Sequence, residues 1–235
     1  MLTQQADSNK ASEQHYGMWQ MNINETRLVV ATRLIMREKP GVLLDIACSA
    51  GEFTRRFIAD GWQVVGIDNQ EGKLAEAAEA GLDTHLCNIP TDAFPLDDSS
   101  IDCAFAGEII EHLVDTDRFL LEIKRVLKPG GALVITTPNL LSLENRLRML
   151  LGIYPRWVDY HCSKLGHIRA YTIPVLKRQL KDNGFRIAAA RGNYIPVCNN
   201  QFMFLDDRKF NFVRYTGLLF PGLCGTIIVK ARKLE

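Results

Sequence analysis

Short apolar runs alternate with amphipathic segments along most of the chain. The apolar runs are rich in Val, Ile, Leu and Ala and predict strands buried on both faces of a sheet. The amphipathic segments have apolar residues at helical spacing and predict helices. This order is typical of a parallel sheet covered on both faces and connected by right-handed crossovers. The predicted strands are GVLLDIAC (41–48), WQVVGID (62–68), DTHLCN (83–88), IDCAFAG (101–107) and GALVITTPN (131–139).

Turn and capping residues divide these strands from the predicted helices. Asn24 is expected to cap a first helix, and Gly61 to end the helix that follows the first strand. After the fourth strand the pattern predicts a helix split in two, with Thr116 as the cap of its second part. The last third adds two helices and two further strands, which are expected at 141–152, 172–184, 185–194 and 225–233.

The domain organisation follows from the same pattern, because no linker or internal repeat interrupts it. Residues 1–14 are polar and predict a disordered arm, and residues 15–235 are expected to form a single domain. Within that domain, 15–38 would supply a first helix and a lid, whereas 140–170 and 196–223 would be insertions on the substrate side.

Composition and charge argue against several classes of protein. The 235 residues are 47% hydrophobic and carry interspersed charges with a formal net charge of +1, which disfavours a nucleic-acid partner. The six cysteines are scattered and form no CxxC pair, which indicates buried free thiols in a reducing compartment. Neither a signal peptide nor an apolar run of transmembrane length is evident, so we expect a soluble, cytoplasmic protein.

Two carboxylates stand at the ends of neighbouring predicted strands, Asp45 after the first and Asp68 after the second. In an open parallel sheet, ligands bind beyond these strand ends, where an acid can accept both hydroxyls of a ribose. The turn after Asp45 has one glycine, Gly51, whereas a dinucleotide pyrophosphate needs the three of G-x-G-x-x-G. The residues therefore favour a ligand with a ribose, an adenine and a positive charge, such as S-adenosylmethionine.

Residues 45–51, DIACSAG, resemble the D-x-G-C-G-x-G turn of the class I S-adenosylmethionine-dependent methyltransferases, and LKPGG (127–131) is a second hallmark of that family. The resemblance covers most of residues 30–235. Ala47 and Ser49 replace two of its glycines, and both are small enough for the backbone to pass the ligand. The resemblance implies a Rossmann-like, seven-stranded α/β sheet with helices on both faces and an antiparallel last strand.

The resemblance also implies a site for S-adenosylmethionine at the carboxyl ends of the first three strands. Its expected members are Asp45, Ala47 and Gly51 at the methionine end, Asp68 at the ribose, and Asn69 and Asn88 at the adenine.

Polar residues also follow the fourth strand, where side chains can face the methyl group. In GEIIEHL, Glu108, Glu111 and His112 have the spacing of one face of a helical turn. His112 could be the general base for a hydroxyl, or the three could bind a divalent metal with His167 as a fourth ligand. A third interpretation is that the acids cap a helix and His112 packs. Similar E-x-x-E-H segments occur in ubiquinone-pathway O-methyltransferases and 3′-terminal RNA 2′-O-methyltransferases; we predict His112 as the base, without a metal.

The acceptor would be met by residues outside the shared core. Segment 202–223 mixes aromatic and basic residues and could contact a membrane surface, a second copy or the sheet. Resemblance to bacterial glycan- and lipid-pathway enzymes implies methyl transfer to a hydroxyl of a small molecule, saccharide or lipid-linked glycan. Metal-assisted methylation of RNA ribose and cofactor binding without catalysis stay open as alternatives. The candidate substrate residues are Trp19, Glu108, His167, Arg169 and Tyr171.

Overall fold

The computed structural model describes residues 25–158, 166–196 and 216–234. Its centre is a seven-stranded sheet in the order β3-β2-β1-β4-β5-β7-β6. The strands are β1 (Val42–Ile46), β2 (Gln63–Asp68), β3 (Asp83–Leu86), β4 (Ile101–Gly107), β5 (Leu127–Pro138), β6 (Phe185–Gly192) and β7 (Thr226–Lys233).

The direction of the strands decides where a ligand can bind. The first five strands pair in parallel, whereas β7 is antiparallel to both β5 and β6. The predicted seven-stranded sheet with an antiparallel last strand is confirmed. Strand order reverses between β1 and β4, so the crevice for a ligand opens beyond the carboxyl ends of these two strands.

Helices cover both faces of the sheet, and each face has its own apolar core. Leu120 and Leu176 belong to the core on one face, and Leu28 and Phe57 to the core on the other. Burial on two faces explains why the strands read as continuous apolar runs. The helices are α1 (Thr26–Ile35), α2 (Glu71–Glu79), α3 (Thr116–Val126), α4 (Leu143–Leu150) and α5 (Ile173–Asp182), with 3-10 helices at Arg55–Asp60, Ile110–His112 and Pro221–Leu223.

Several element boundaries differ from those predicted. Asp115, not Thr116, caps α3, because its side chain reaches the main-chain N–H of Arg118. The residue at the start of α1 is Glu25, and Asn24 lies outside the described residues. Strand β5 begins four positions earlier than predicted, since Leu127 already pairs with β4.

The helix predicted after β1 is a 3-10 helix over Arg55–Asp60, which Gly61 ends in a left-handed conformation as expected. The four cysteines within the described residues are free and buried, as predicted, and Cys162 and Cys198 lie outside that part of the chain. In the described ranges, no helix has both the length and the apolar character needed to cross a bilayer.

Candidate active site at the carboxyl edge of the sheet

The turn after β1 is fastened to the end of β2. The main-chain N–H groups of Ala47 and Cys48 donate to the carbonyl of Ile67 at 2.9 and 3.1 Å. The N–H of Ser49 donates to Asp68 Oδ2 at 2.8 Å, so a predicted ribose-binding acid also holds the turn in place. Parallel pairing of β1 with β2 therefore brings the two predicted acids to one edge.

The turn has the glycine-like conformation even where glycine is missing. Ala47, Ser49 and Gly51 all have positive φ, at 60°, 49° and 68°. A residue with a Cβ atom is destabilised in this conformation, whereas glycine adopts it without that penalty. At Gly51 a side chain would also be crowded, because a Cβ there would lie 2.8 Å from Leu82 Cδ2, which would have to move. Ala47 and Ser49 thus adopt a backbone conformation that favours glycine, at a cost in stability.

Asp45 is almost fully buried, with only 3% of its surface exposed. The hydroxyl of Thr54 donates to Asp45 Oδ2 at 2.6 Å. Burial raises the pKa of Asp45 to about 7. The hydrogen bond from Thr54 lowers this pKa, and the charge of Asp68 adds to the increase. A cation beside this carboxylate would offset its desolvation, which suits the ammonium end of the predicted cofactor. Thr54 is not among the predicted site residues, because nothing in the local sequence distinguishes it within its amphipathic segment.

The residues predicted to face the adenine are exposed at the same edge. Asn88 Nδ2 donates to the hydroxyl of Thr91 at 2.7 Å, and the Asn69 side chain faces solvent. The loop after β3 is held by Arg118, which donates to the carbonyls of Ile89 and Asp92. The roles of Asn69 and Asn88 stay predictions.

A cluster of ligand-type side chains lies after β4. One ligand atom each of Glu111, His112 and His167 lies within 4.8 Å of the others. The imidazole rings stack edge to face at 4.7 Å between centroids. The carbonyl of Glu111 accepts the N–H groups of Ile168 and Arg169 at 3.0 and 3.1 Å, which fastens the segment containing His167 to the cluster.

Hydrogen bonds fix the tautomers of the two histidines. Nδ1 of His112 lies 3.1 Å from the carbonyl of Gly166, and Nδ1 of His167 lies 2.8 Å from the carbonyl of Trp157. A carbonyl can only accept, so each Nδ1 carries the hydrogen and each neutral ring keeps its lone pair on Nε2. Burial and the neighbouring His167 lower the pKa of His112, which favours the neutral form that a base needs.

Glu111 has an unpartnered oxygen inside this cluster. The side chain is 1% exposed, Oε2 accepts from Thr137 at 3.0 Å, and the buried Oε1 has no partner. Burial and the nearby charge of Glu108 raise the pKa of Glu111 to about 8. A cation or a hydrogen-bond donor of the acceptor would satisfy this oxygen.

Glu108 does not share a helical face with Glu111 and His112, which corrects the predicted arrangement. The Ile110–His112 helix is a single 3-10 turn, and Glu108 precedes it with a φ of 54°. Its carboxylate accepts a hydrogen bond from the Thr136 hydroxyl at 2.8 Å, and both this bond and the positive charge of Arg27 lower its pKa. Burial nevertheless raises the pKa of Glu108 above its ordinary value. The cluster with metal-ligand spacing is therefore Glu111, His112 and His167.

The remaining substrate candidates have internal partners or lie outside the described residues. Arg169 donates to the carbonyls of Leu113 and Val114, and the hydroxyl of Tyr171 donates to Gln179 at 3.1 Å. Trp19 lies outside the described ranges. Contact of these residues with an acceptor stays a prediction.

Comparison with known proteins agrees with this geometry. A family model for a methyltransferase domain matches residues 44–135, from β1 into β5. A ubiquinone biosynthesis O-methyltransferase of Nitrobacter winogradskyi is 34% identical over 180 residues, covering 73% of this chain and 66% of the relative. A probable S-adenosylmethionine-dependent methyltransferase of Mycolicibacterium smegmatis is 34% identical over 119 residues, covering 49% of this chain and 45% of the relative. The matched part thus spans less than two thirds of these curated relatives.

Solved structures share the fold at low sequence identity. An S-adenosylmethionine-dependent methyltransferase from Mesorhizobium loti aligns with a TM-score of 0.60 at 19% identity, covering 87% of this chain and 96% of that one. A Burkholderia thailandensis N1-methyltransferase with bound S-adenosylhomocysteine aligns with a TM-score of 0.61 at 16% identity, covering 99% and 87%. The chain belongs to the class I S-adenosylmethionine-dependent methyltransferases, which confirms the predicted family and cofactor.

The strained turn gives a prediction about stability. We expect the Ala47→Gly and Ser49→Gly variants each to have a free energy of unfolding about 1 kcal/mol higher than that of the Ala50→Gly variant. The reason is that Ala47 and Ser49 have left-handed φ, whereas Ala50 does not. Urea denaturation of the three variants measures the difference. Equal destabilisation by all three would show that the turn is not strained.

Proposed function

We propose that this protein transfers the methyl group of S-adenosylmethionine to a hydroxyl of a small molecule, saccharide or lipid-linked glycan. The observation that carries the proposal is a half-buried histidine, His112, with its Nε2 lone pair available just after the carboxyl end of β4, next to the cofactor edge. A neutral imidazole there can take the proton of a hydroxyl during transfer. The curated relatives whose names specify O-methylation support oxygen as the nucleophile.

The residues present fit the cofactor. The buried Asp45 carboxylate would hold the ammonium, and the Asp68 oxygens would accept the ribose hydroxyls in competition with their present main-chain donors. Ala47 and Gly51 would let the backbone approach the methionine portion, and Asn69 and Asn88 would meet the adenine. When bound, the cofactor supplies a methyl group already activated on a sulfonium.

The protein has to align the acceptor and exclude water, since the methyl group is already reactive. His112 would accept the hydroxyl proton at Nε2. The carbonyl of Gly166 orients the ring, and burial together with the neighbouring His167 lowers the pKa of His112, so that the ring is neutral before the transfer. The unpartnered Oε1 of Glu111 would accept a hydrogen bond from a second polar group of the molecule that is methylated.

A second candidate route uses a divalent metal. Glu111, His112 and His167 offer one carboxylate and two imidazoles, a donor set suited to Zn²⁺, Mn²⁺ or Fe²⁺, and the unpartnered Oε1 of Glu111 favours a cation. A metal there would lower the pKa of the acceptor hydroxyl. That chemistry would also suit a ribose 2′-hydroxyl of RNA, although a net charge of +1 offers little attraction for phosphates.

Removal of the ribose-binding acid tests cofactor binding. We expect Asp68→Ala to weaken S-adenosylmethionine binding by about two orders of magnitude, because two charge-assisted hydrogen bonds are lost. Calorimetric titration measures the dissociation constant, with NAD as the control ligand. The matched variant is Asp83→Ala, an exposed acid at the start of β3. Unchanged affinity in Asp68→Ala would contradict the cofactor site.

The raised pKa of Asp45 gives cofactor binding a pH dependence. Below about pH 7 the carboxyl is protonated in the free protein, and an ammonium favours the ionised form. Affinity should therefore rise with pH towards 7, by up to about tenfold per unit, and then level off. Titrations between pH 5.5 and 8.5, values chosen to bracket the pKa by roughly a unit and a half, should show this in the wild type. Asp45→Asn should bind weakly with a flatter profile; a parallel profile would assign the titration to another group.

Substitution of His112 tests its role in methyl transfer, and treatment with EDTA separates the two routes. We expect His112→Asn to lower kcat by about 10²- to 10⁴-fold while cofactor affinity stays unchanged. The assay follows labelled methyl transfer to a panel of phenolic and saccharide hydroxyls, and His85→Asn on β3 is the matched control. We expect EDTA to have no effect.

Loss of activity in EDTA, restored by Mn²⁺ or Zn²⁺, would instead establish the metal route. Tight cofactor binding without transfer to any acceptor of the panel would support a binding protein that does not catalyse.

A further inference from the structure

Helix α4 presents its apolar side chains to solvent. A surface helix normally turns an apolar stripe to the core, yet the buried residue of α4 is Asn145. Leu150 and Leu151 are 82% and 72% exposed. Exposed apolar surface of this kind marks an interaction site. We call it the α4 rim, formed by Leu147, Leu150, Leu151, Ile153, Tyr154 and Trp157, all exposed.

Hydrogen bonds hold the rim in this arrangement. Asn145 Nδ2 donates to the carbonyl of Arg156 at 3.1 Å, and the N–H of Arg156 donates to Asn145 Oδ1 at 2.7 Å. Arg148 accepts the N–H of Ile153 at its carbonyl and donates through Nε to the carbonyl of Tyr154. The buried polar residue thus fixes a loop that displays apolar residues.

The charge around the rim is positive. Residues 143–158 contain three arginines, Arg146, Arg148 and Arg156, against one acid, Glu144. Glu144 Oε1 lies 2.9 Å from Arg156 Nε and 4.0 Å from Arg148, so the acid is shared and Arg146 keeps its charge uncompensated by it. Exposed Leu, Trp and Tyr beside arginines are typical of surfaces that lie in the headgroup region of anionic membranes.

The rim adjoins the catalytic edge. The carbonyl of Trp157 accepts from His167, which stacks on His112. Asn139, at the end of β5, joins α4 to the last segment, because its carbonyl accepts from Asn145 and its Nδ2 donates to the carbonyls of Gly222 and Cys224. That last segment also exposes apolar surface, since Phe220 is 55% exposed.

We propose that the α4 rim docks on the surface of an anionic lipid bilayer. The arginines would meet lipid phosphates, and the leucines and Trp157 would enter the boundary between headgroups and acyl chains. The acceptor would then reach His112 from the membrane side, a consequence that rests on the proposed function.

Vesicle sedimentation of the full chain tests the docking. We expect binding to phosphatidylcholine vesicles that contain phosphatidylglycerol, weakened by salt, and weaker binding to phosphatidylcholine alone. Leu150→Ser with Leu151→Ser should lower the partition coefficient by at least about tenfold. Arg146→Gln should lower it by about fivefold.

Matched controls are Leu121→Ser, 53% exposed on α3, and Arg178→Gln, 86% exposed on α5, both of which should bind like the wild type. Binding that is absent on both vesicles, or unaffected by the rim variants, would overturn the proposal. A wild-type dimer in analytical ultracentrifugation that the leucine variant dissociates would also overturn it, in favour of self-association. Vesicle binding needs no methyl transfer, so its failure is distinguishable from failure of cofactor titration.

Discussion

Parallel pairing of β1 with both β2 and β4 is the constraint on which the rest of the site depends. Because the three strands run in one direction, their carboxyl ends meet at one edge, and each following turn begins there. Asp45, Asp68 and Glu108 are separated along the chain yet leave the sheet at this edge. Strand order reverses between β1 and β4, and ligands of open parallel sheets bind in the crevice at that point.

This arrangement has an electrostatic cost. Asp45 and Glu111 are buried at the sheet edge and Glu108 is half-buried there, and desolvation raises the pKa of each carboxyl group. Hydroxyls of Thr54, Thr136 and Thr137 each donate one hydrogen bond to these acids, which offsets the desolvation only in part. A protein selected for stability alone would not keep three such acids together, so we interpret them as groups kept for binding and chemistry. The left-handed Ala47 and Ser49 fit the same interpretation, since strain concentrates at functional sites.

The exposed surface is coupled to this buried edge by short hydrogen-bonded links. Asn145 holds the loop that carries Trp157, and the carbonyl of Trp157 orients His167 in the cluster with Glu111 and His112. The α4 rim, where we propose docking, is therefore one hydrogen bond away from the histidines that we propose for chemistry.

The sequence by itself determined the strands of the parallel part of the sheet and the edge at which its acids lie, whereas the antiparallel last strand was implied by the family resemblance. Apolar runs buried on both faces identify strands by composition, and the acids that end them identify the ligand edge without knowledge of long-range contacts. The pairing of Asp45 and Asp68 at one edge follows from strand order and was predictable, whereas the partner Thr54 was not, because nothing local distinguishes it in its segment. The sequence did not decide the cap of α3, because Asp115 and Thr116 are both good capping residues and only the structure shows that Asp115 accepts the hydrogen bond.

Only the tertiary structure decided which residues join His112 in the cluster after β4 and which surfaces are exposed. Helical spacing predicted that Glu108 and His112 share a face. In the structure the helix is a single 3-10 turn, so Glu108 instead accepts a hydrogen bond from Thr136, and Glu111 lies beside the two histidines. Along the chain, the leucines of α4 have the spacing of an ordinary amphipathic helix, although most of them face the solvent. Periodicity shows that a helix has an apolar face, and it does not show whether that face meets the core or the solvent, because the neighbouring elements decide it.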